Sequence, residues 1–296
     1  MSLQSAVAVT EVGQPVAKVT IPRPEESKLA DHELLLKVTV AGMSPFDAKI
    51  RDWNPFGLPF PIVLGVDVVG VVIKNGSNMN FPIGSHVFVQ KLGSIQEFAV
   101  VDGRYAAIVP EGITDAEAAL YPINAVTSAK VLFTSEGLGF PLPGTAEAAS
   151  FDFSAQHIVI LGGGTNCGKL AIQFARLAGI GRIVVTASAS SGPLLRDLGA
   201  TCVVDRQSAN IEEQIRAAIE GEIIHVFDAY GNVDLGVSLL SEKKKGTLID
   251  IIQGKVSAEV LEKKKAKFDH RFLQGYLDQS RGDQAFQLQG HRRHGL

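Results

Sequence analysis

From Ile158 the chain runs through four apolar residues, Ile158-Val159-Ile160-Leu161, into Gly162-Gly163-Gly164 and then a helical pattern as far as Arg176. A strand that passes through glycines into a helix gathers backbone N–H groups and the positive helix end at one point, which suits a phosphate. The dinucleotide fingerprint of this kind is G-x-G-x-x-G. Counted from Gly163, its key positions hold Gly163, Thr165 and Gly168, so the middle glycine is a threonine. Counted from Gly162 they hold Gly162, Gly164 and Cys167, and the third glycine is lost. The first register is preferred, because Gly168 then lies in the first helical turn, where close helix–strand packing needs it. Gly164, Thr165, Asn166 and Cys167 complete the candidate phosphate loop. The other reading is a glycine turn with no ligand.

The cofactor that such a loop would hold is read from the next strand. An NAD site places Asp or Glu at its end, about 20 residues past the glycines, to bind the ribose 2′-hydroxyl. Here that strand ends Val185-Thr186-Ala187-Ser188, and no acidic residue lies between Asp152 and Asp197. Ser188 leaves room for a 2′-phosphate, and Arg206, after the third strand, could grip it with a forked guanidinium. The expectation is NADPH. Alternatively, Arg206 pairs with a surface carboxylate. Later strand ends put Tyr230 and Gln253 in loops able to reach the same ligand.

These residues need a parallel sheet to align them, and the second half supplies its pattern. Strands at 158–161, 182–186, 201–205, 223–227 and 247–252 alternate with helices, one of them capped by Ser208, which implies a doubly wound α/β sheet. The first half reads as all-β. A hairpin over residues 5–21 precedes strands at 34–40, 68–73, 86–89, 97–101 and 106–109, the short strands of a barrel or sandwich. Thr114 and Glu117 form a capping box, and a second helix runs from about Ala125 to Phe133. Residues 135–150 read as a loop.

The chain has 296 residues and a net charge of −3, which gives no argument for nucleic acid or an anionic membrane. No signal peptide or membrane-length apolar run stands out, so a cytoplasmic protein is expected. Two cysteines, Cys167 and Cys202, can make neither a disulfide framework nor a four-thiolate zinc site, and both read as packing residues. The run Glu262-Lys263-Lys264-Lys265-Ala266-Lys267 reads as a solvated helix face.

This order of parts resembles the medium-chain dehydrogenase/reductase superfamily. The similarity covers residues 1 to about 275. Ser44-Pro45-Phe46-Asp47 with Lys49-Ile50-Arg51 is similar to the N-P-x-D…R segment of quinone-oxidoreductase-like members, and Gly65 to Val72 is similar to G-x-D-x-x-G-x-V. Gly84-Ser85-His86-Val87 resembles G-D-x-V, Pro122 to Ser128 resembles the P-x-x-G-x-T-A helix, and Gly163 to Ala175 resembles A-x-x-G-x-V-G…A-x-Q-x-A. The Phe140-Pro141-Leu142-Pro143 insert and triple glycine look most like fungal members, including trans-acting enoyl reductases of polyketide pathways and ToxD-like reductases.

The resemblance implies a GroES-like β-barrel catalytic domain over residues 1–124, a Rossmann NADP-binding domain over 125–275, and an irregular tail over 276–296. It implies Thr127 as a nicotinamide contact. Where zinc members carry Cys and His, this chain has Met43-Ser44 and Gly65-Val66-Asp67, so no metal is expected. Hydride transfer to an enoyl C=C or a quinone-like acceptor then fits better than alcohol oxidation. Asp47 and Tyr121 are candidates for substrate positioning or proton donation, with loop hydrogen bonding and core packing as their structural alternatives. Asp67 reads as a buried, paired structural carboxylate. Trp53 and Phe56 read as pocket lining or core, and His86, His157 and His225 as satisfied structural histidines.

At the C-terminus the similarity fails. Phe268 to Leu277 could begin the family's return to the β-rich domain, but 279–296 do not read as its strands. A truncated product or a different reading of the message is implied, with a mobile tail. Two functions are open: a zinc-independent NADPH-dependent oxidoreductase with a small-molecule enoyl or quinone-like substrate, and a nucleotide-binding protein without turnover that acts through a partner such as a polyketide synthase.

Overall fold

The computed structural model describes residues 2–273 and Gly275. The expectation of a mobile segment at 279–296 lies outside the described residues. The chain divides after Ile123 into two compact units.

The first unit carries β1 (Leu3–Val9), β2 (Ala17–Pro22), β3 (Glu33–Gly42), α1 (Pro45–Trp53), β4 (Ile62–Val63), β5 (Asp67–Asn75), β6 (His86–Gln90), β7 (Phe98–Asp102), β8 (Ala107–Ile108) and α2 (Asp115–Ala118). β1 and β2 form the expected antiparallel hairpin, with β4 on the other edge of β1. The remaining strands make a five-stranded antiparallel sheet in the order β7-β3-β5-β6-β8. Alternation along its strands turns Leu34, Leu36, Val68, Val72, Val87 and Val89 into one core.

No helix is expected from the sequence between Gly42 and Val68, yet α1 forms there. Its cause is local. Ser44 accepts the Phe46 N–H at 3.1 Å, and Asp47 reaches back to accept the Ser44 N–H at 2.8 Å. This is a capping box with aspartate in the usual Glu position, and Pro45 is preset for the first turn. Ile50 then packs with Val9, Ile62 and Leu64.

The second unit contains the rest of α3 (Pro122–Phe133), which begins at the boundary, and α4 (Ala146–Ala149). Then follow β9 (His157–Leu161), α5 (Asn166–Ala178), β10 (Arg182–Ala187), α6 (Gly192–Leu198), β11 (Cys202–Asp205), α7 (Ile211–Ala217), β12 (His225–Asp228), α8 (Val233–Leu239), β13 (Gly246–Asp250), α9 (Ala258–Lys263) and β14 (Phe268–Phe272). Six parallel strands lie in the order β11-β10-β9-β12-β13-β14, a Rossmann sheet. Ile158, Ile160, Ile183, Val185 and Phe227 face one core, while Val159, Leu161, Val184 and Val226 face the other. A sheet covered on both faces explains why its strands read as unbroken apolar runs.

Four expectations are corrected here. Phe268–Phe272 does not begin a return to the first unit; it pairs in parallel with β13, Gly246 opposite Phe268, because its half-buried residues extend an existing edge. Ser208 does not cap α7: Asn210 is the boundary residue and the Ser208 hydroxyl donates to Asn210 Oδ1 at 2.9 Å. The lysine run is not a plain solvated helix face. α9 ends within it, and Lys264 is drawn in, its side chain 3% exposed, to the Leu240 carbonyl and to Glu242 at 2.7 Å. His86 is satisfied by Asp115 at 2.8 Å, but the Nδ1 atoms of His157 and His225 are buried without a partner among the described residues. Burial pushes the His225 imidazole below its ordinary pKa. No helix among the described residues is long and apolar enough to cross a membrane.

Asp47 is 2% exposed and serves two segments, since its Oδ1 also accepts the Gly65 N–H at 2.6 Å. Asp47→Ala therefore strips a helix cap and leaves a buried N–H unpaired. It is expected to lower the unfolding free energy in urea by about 2–4 kcal/mol. A loss below about 0.5 kcal/mol, the range of ordinary surface substitutions, would contradict this account.

Candidate functional site

The parallel sheet brings five loops to its carboxyl edge in a fixed order. From one side come Arg206 after β11, Ser188 after β10, the glycines after β9, Tyr230 after β12 and Gln253 after β13. Strand order reverses between β9 and β12, and ligands of open α/β sheets bind at such a switch point.

The glycine turn has the close contacts that its composition implies. Gly162 has φ +81°, and a Cβ there would lie 2.7 Å from Cβ of Tyr230. Any side chain on Gly163 would strike Val185. A Cβ on Gly168 would meet the Gly162 carbonyl and lie 2.8 Å from Cα of Gly163. Thr165 is the N-cap of α5: its Oγ1 accepts the Gly168 N–H at 2.9 Å. Threonine at the middle fingerprint position thus shapes the turn. Gly164 is the open member, with only Ser191 Oγ near, at 3.9 Å from its missing Cβ. Its N–H has no acceptor among the described residues, and Asn166 and Cys167 follow in the first turn of α5.

The helix before this unit's sheet locks onto the turn. Ser128 donates to the Cys167 carbonyl at 2.8 Å, and Cys167 Sγ lies 3.4 Å from Asn124 Oδ1. Thr127, 5% exposed, packs against Gly275. Past β10, Ser188 Oγ lies 2.8 Å from Ser191 Oγ and 3.2 Å from Ser190 Oγ. The Arg206 guanidinium stands over the Tyr230 ring, 5.5 Å from its centroid, with no carboxylate partner among the described residues.

Two carboxylates that the sequence reading did not single out hold the remaining loops. Asp228 Oδ1 accepts the N–H groups of Tyr230 and Gly231 at 2.9 and 2.8 Å. Asp250 Oδ1 accepts those of Ile252 and Gln253 at 3.0 and 2.6 Å, and its Oδ2 meets His270 Nε2 at 2.7 Å. Gln253 has φ +65°, which these bonds sustain. Burial raises the Asp228 pKa, the loop N–H groups oppose that rise, and the Asp250 charge adds to it. An aspartate closing each strand just before a polar loop was the available signal.

In the first unit, Asp47 spends both oxygens on backbone N–H groups. Asp67 is 2% exposed and accepts the Ile123 N–H at 2.9 Å. It has no cation beside it among the described residues, so the expected pairing is corrected. Burial pushes its carboxyl up to about 8, against the Ile123 N–H, and the nearby Asp47 adds to the shift. Trp53 and Phe56 are not core: they are 68% and 49% exposed. Tyr121 is 41% exposed and lines a small apolar pocket with Phe88, Pro110, Ile113 and Ala118. No group of three or more His, Cys, Asp or Glu side chains among the described residues could hold a metal ion.

Residues 30–122 match the alcohol dehydrogenase GroES-like domain family, and residues 167–260 match the zinc-binding dehydrogenase family. A trans-enoyl reductase of Aspergillus japonicus is 30% identical over 233 residues, covering 75% of this chain and 64% of that protein. A chloroplastic NADPH-dependent alkenal/one oxidoreductase of Arabidopsis thaliana is 30% identical over 233 residues, 74% of this chain and 55% of that protein. The chain thus spans between about half and two thirds of these curated relatives' own length. Among solved structures, an alcohol dehydrogenase superfamily protein from Novosphingobium aromaticivorans is 26% identical with a TM-score of 0.73, over 90% of this chain and 78% of that one.

Asp67 makes stability depend on pH with a definite sign. Between its unfolded value near 4 and its folded value of about 8, the folded chain keeps a proton that the unfolded chain releases. Its contribution is therefore complete at low pH and is lost as pH rises through that window. Asp67→Asn, which keeps the acceptor for Ile123, is expected to flatten this decline in urea titrations from pH 5 to 8. An unchanged slope would show that Asp67 is ionised in the folded protein.

Proposed function

The chain belongs to the medium-chain dehydrogenase/reductase superfamily, and from that premise we propose that it is a zinc-independent oxidoreductase that uses NADPH to reduce an enoyl C=C or a quinone-like acceptor. The observation that carries this reading is the β10–β11 end of the sheet. Three serine hydroxyls follow β10, where an NAD site would hold a carboxylate, and the Arg206 guanidinium after β11 has no carboxylate partner among the described residues.

The second unit's residues fit the cofactor. The Gly163–Gly168 turn, with Gly164, Thr165, Asn166 and Cys167, would take the pyrophosphate at the start of α5. Ser188 and Arg206 would take the 2′-phosphate, Tyr230 and Gln253 would flank the dinucleotide past the switch point, and Thr127 would contact the nicotinamide. When bound, NADPH supplies hydride. The protein holds the dinucleotide and excludes water; Asp228 and Asp250 fix the loops that do so.

A catalytic zinc does not fit the first unit. Met43 and Ser44 offer neither thiolate nor imidazole, and Asp47 has both oxygens engaged. Tyr121 is the proposed proton donor: the residue is 41% exposed and its hydroxyl has no partner among the described residues. Asp47 is proposed to act on catalysis through the loop it holds. The trans-enoyl reductase and alkenal/one oxidoreductase relatives support an activated alkene as acceptor, and the fungal resemblance supports a polyketide synthase as the partner that presents it.

Cofactor titration with turnover assays on enoyl thioesters and quinones tests the reading. NADPH is expected to bind at least about tenfold more tightly than NADH, since a charge-assisted bond is worth roughly 1.5–3 kcal/mol. Arg206→Ala is expected to remove most of that difference while sparing NADH. Equal affinity for the two cofactors would sink the NADPH assignment, and binding without turnover on every acceptor would favour a nucleotide-binding role through a partner.

A further inference from the structure

We propose that Arg196 is a second guanidinium for the cofactor 2′-phosphate, seated in the space that Gly192 leaves open. This rests on the NADPH reading above and adds to it a specificity-determining residue on a different element from Arg206.

Ser188, Gly192 and Arg196 are spaced four residues apart. The single 3-10 turn Ala189–Ser191, with the extended Ser188 as its N-cap, leads directly into α6, where Gly192 and Arg196 fall on one face. Side chains on such a segment lean toward its N-terminus, which directs Arg196 back toward the serines. The guanidinium follows that direction. Its Nη1 lies 3.1 Å, and its Cζ 3.9 Å, from the point where a Cβ on Gly192 would stand. A larger residue at 192 would occupy the seat.

Nothing among the described residues claims this cation: the Arg196 guanidinium has no hydrogen bond and no carboxylate partner there. Of the acidic side chains nearest in register, Asp205 accepts the Gln207 N–H at 3.0 Å, and no ion pair joins Asp197 to Arg196 among the described residues.

The other components arrive from β10 and β11. Ala187 is the register partner of Asp205, and the Arg206 N–H donates to the Ala187 carbonyl at 2.8 Å, which brings the start of the Arg206 loop beside Ser188. Ser188 is already in contact with Ser190 and Ser191, and Ser191 faces the open Gly164. Three hydroxyls therefore share the β10 loop with two arginine-bearing elements, neither arginine having a carboxylate partner among the described residues, and the loop itself holds no carboxylate. A phosphate monoester dianion has oxygens enough for both forks and for the hydroxyls.

The test is equilibrium titration of the full chain with NADPH, NADH, adenosine 2′,5′-bisphosphate and adenosine 5′-monophosphate, with thermal melts to confirm folding. Arg196→Ala is expected to weaken NADPH and the bisphosphate by about tenfold, the scale of one charge-assisted bond. NADH and the monophosphate should change less than about twofold, within ordinary measurement of affinity. Gly192→Val keeps the arginine but fills its seat and should shift the same pair of ligands; Arg196→Lys should recover part of the loss. If the unmodified protein prefers NADPH and Arg196→Ala keeps that preference in full, the Arg196 assignment fails and the cofactor reading stands. If the unmodified protein does not distinguish NADPH from NADH, both fail together.

Discussion

The second unit depends on one close approach, the packing of the first turn of α5 against the glycine turn that leads into it. The Gly162 carbonyl occupies the space where a side chain on residue 168 would begin, and Val185 occupies the space of one on residue 163. Backbone can come this near only where Cβ atoms are missing. The approach aims the open Gly164 and the N-terminus of α5 at the switch point between β9 and β12. Each neighbouring loop is then placed by the strand spacing of a parallel sheet, roughly 4.8 Å per step.

Buried aspartates organise the loops that the sheet merely brings close. Asp47, Asp228 and Asp250 each turn an oxygen toward backbone N–H groups at the end of an element. Removing a carboxylate from water is costly, and the N–H donors offset part of that cost. Where they offset too little, the proton returns: Asp67 has one backbone donor and a neighbouring carboxylate, and its pKa rises to about 8. The same residue type thus sets a loop at one position and stores a proton at another. Sequence cannot separate the two, because the difference lies in burial, in neighbouring charge and in the donors that converge.

Much of the architecture was legible in the residues. Apolar runs between helical patterns marked five strands of the parallel sheet, because strands buried on both faces have few polar positions. The hairpin over residues 5–21 and the Thr114–Glu117 box were legible for the same reason: their signals are local. Local signals also explain α1, whose Ser44-Pro45-x-Asp47 box stands in the sequence but lacks the apolar periodicity that attracts notice. β14 was missed because a short, half-polar edge strand is defined by its partner rather than by its own composition.

By itself the sequence determined the composition of the glycine turn, the absence of a carboxylate after β10, and the β–α order that puts Arg206 and Ser188 on one edge. Those are properties of type, spacing and chain order, which folding cannot alter. Only the tertiary structure decided what each polar group is free to do. It engaged both oxygens of Asp47, left the Nδ1 atoms of His157 and His225 without partners among the described residues, drew Lys264 onto Glu242, and seated the Arg196 guanidinium above Gly192. Burial and hydrogen-bond supply are set by segments far apart in the chain, so no reading of neighbours in sequence could assign them.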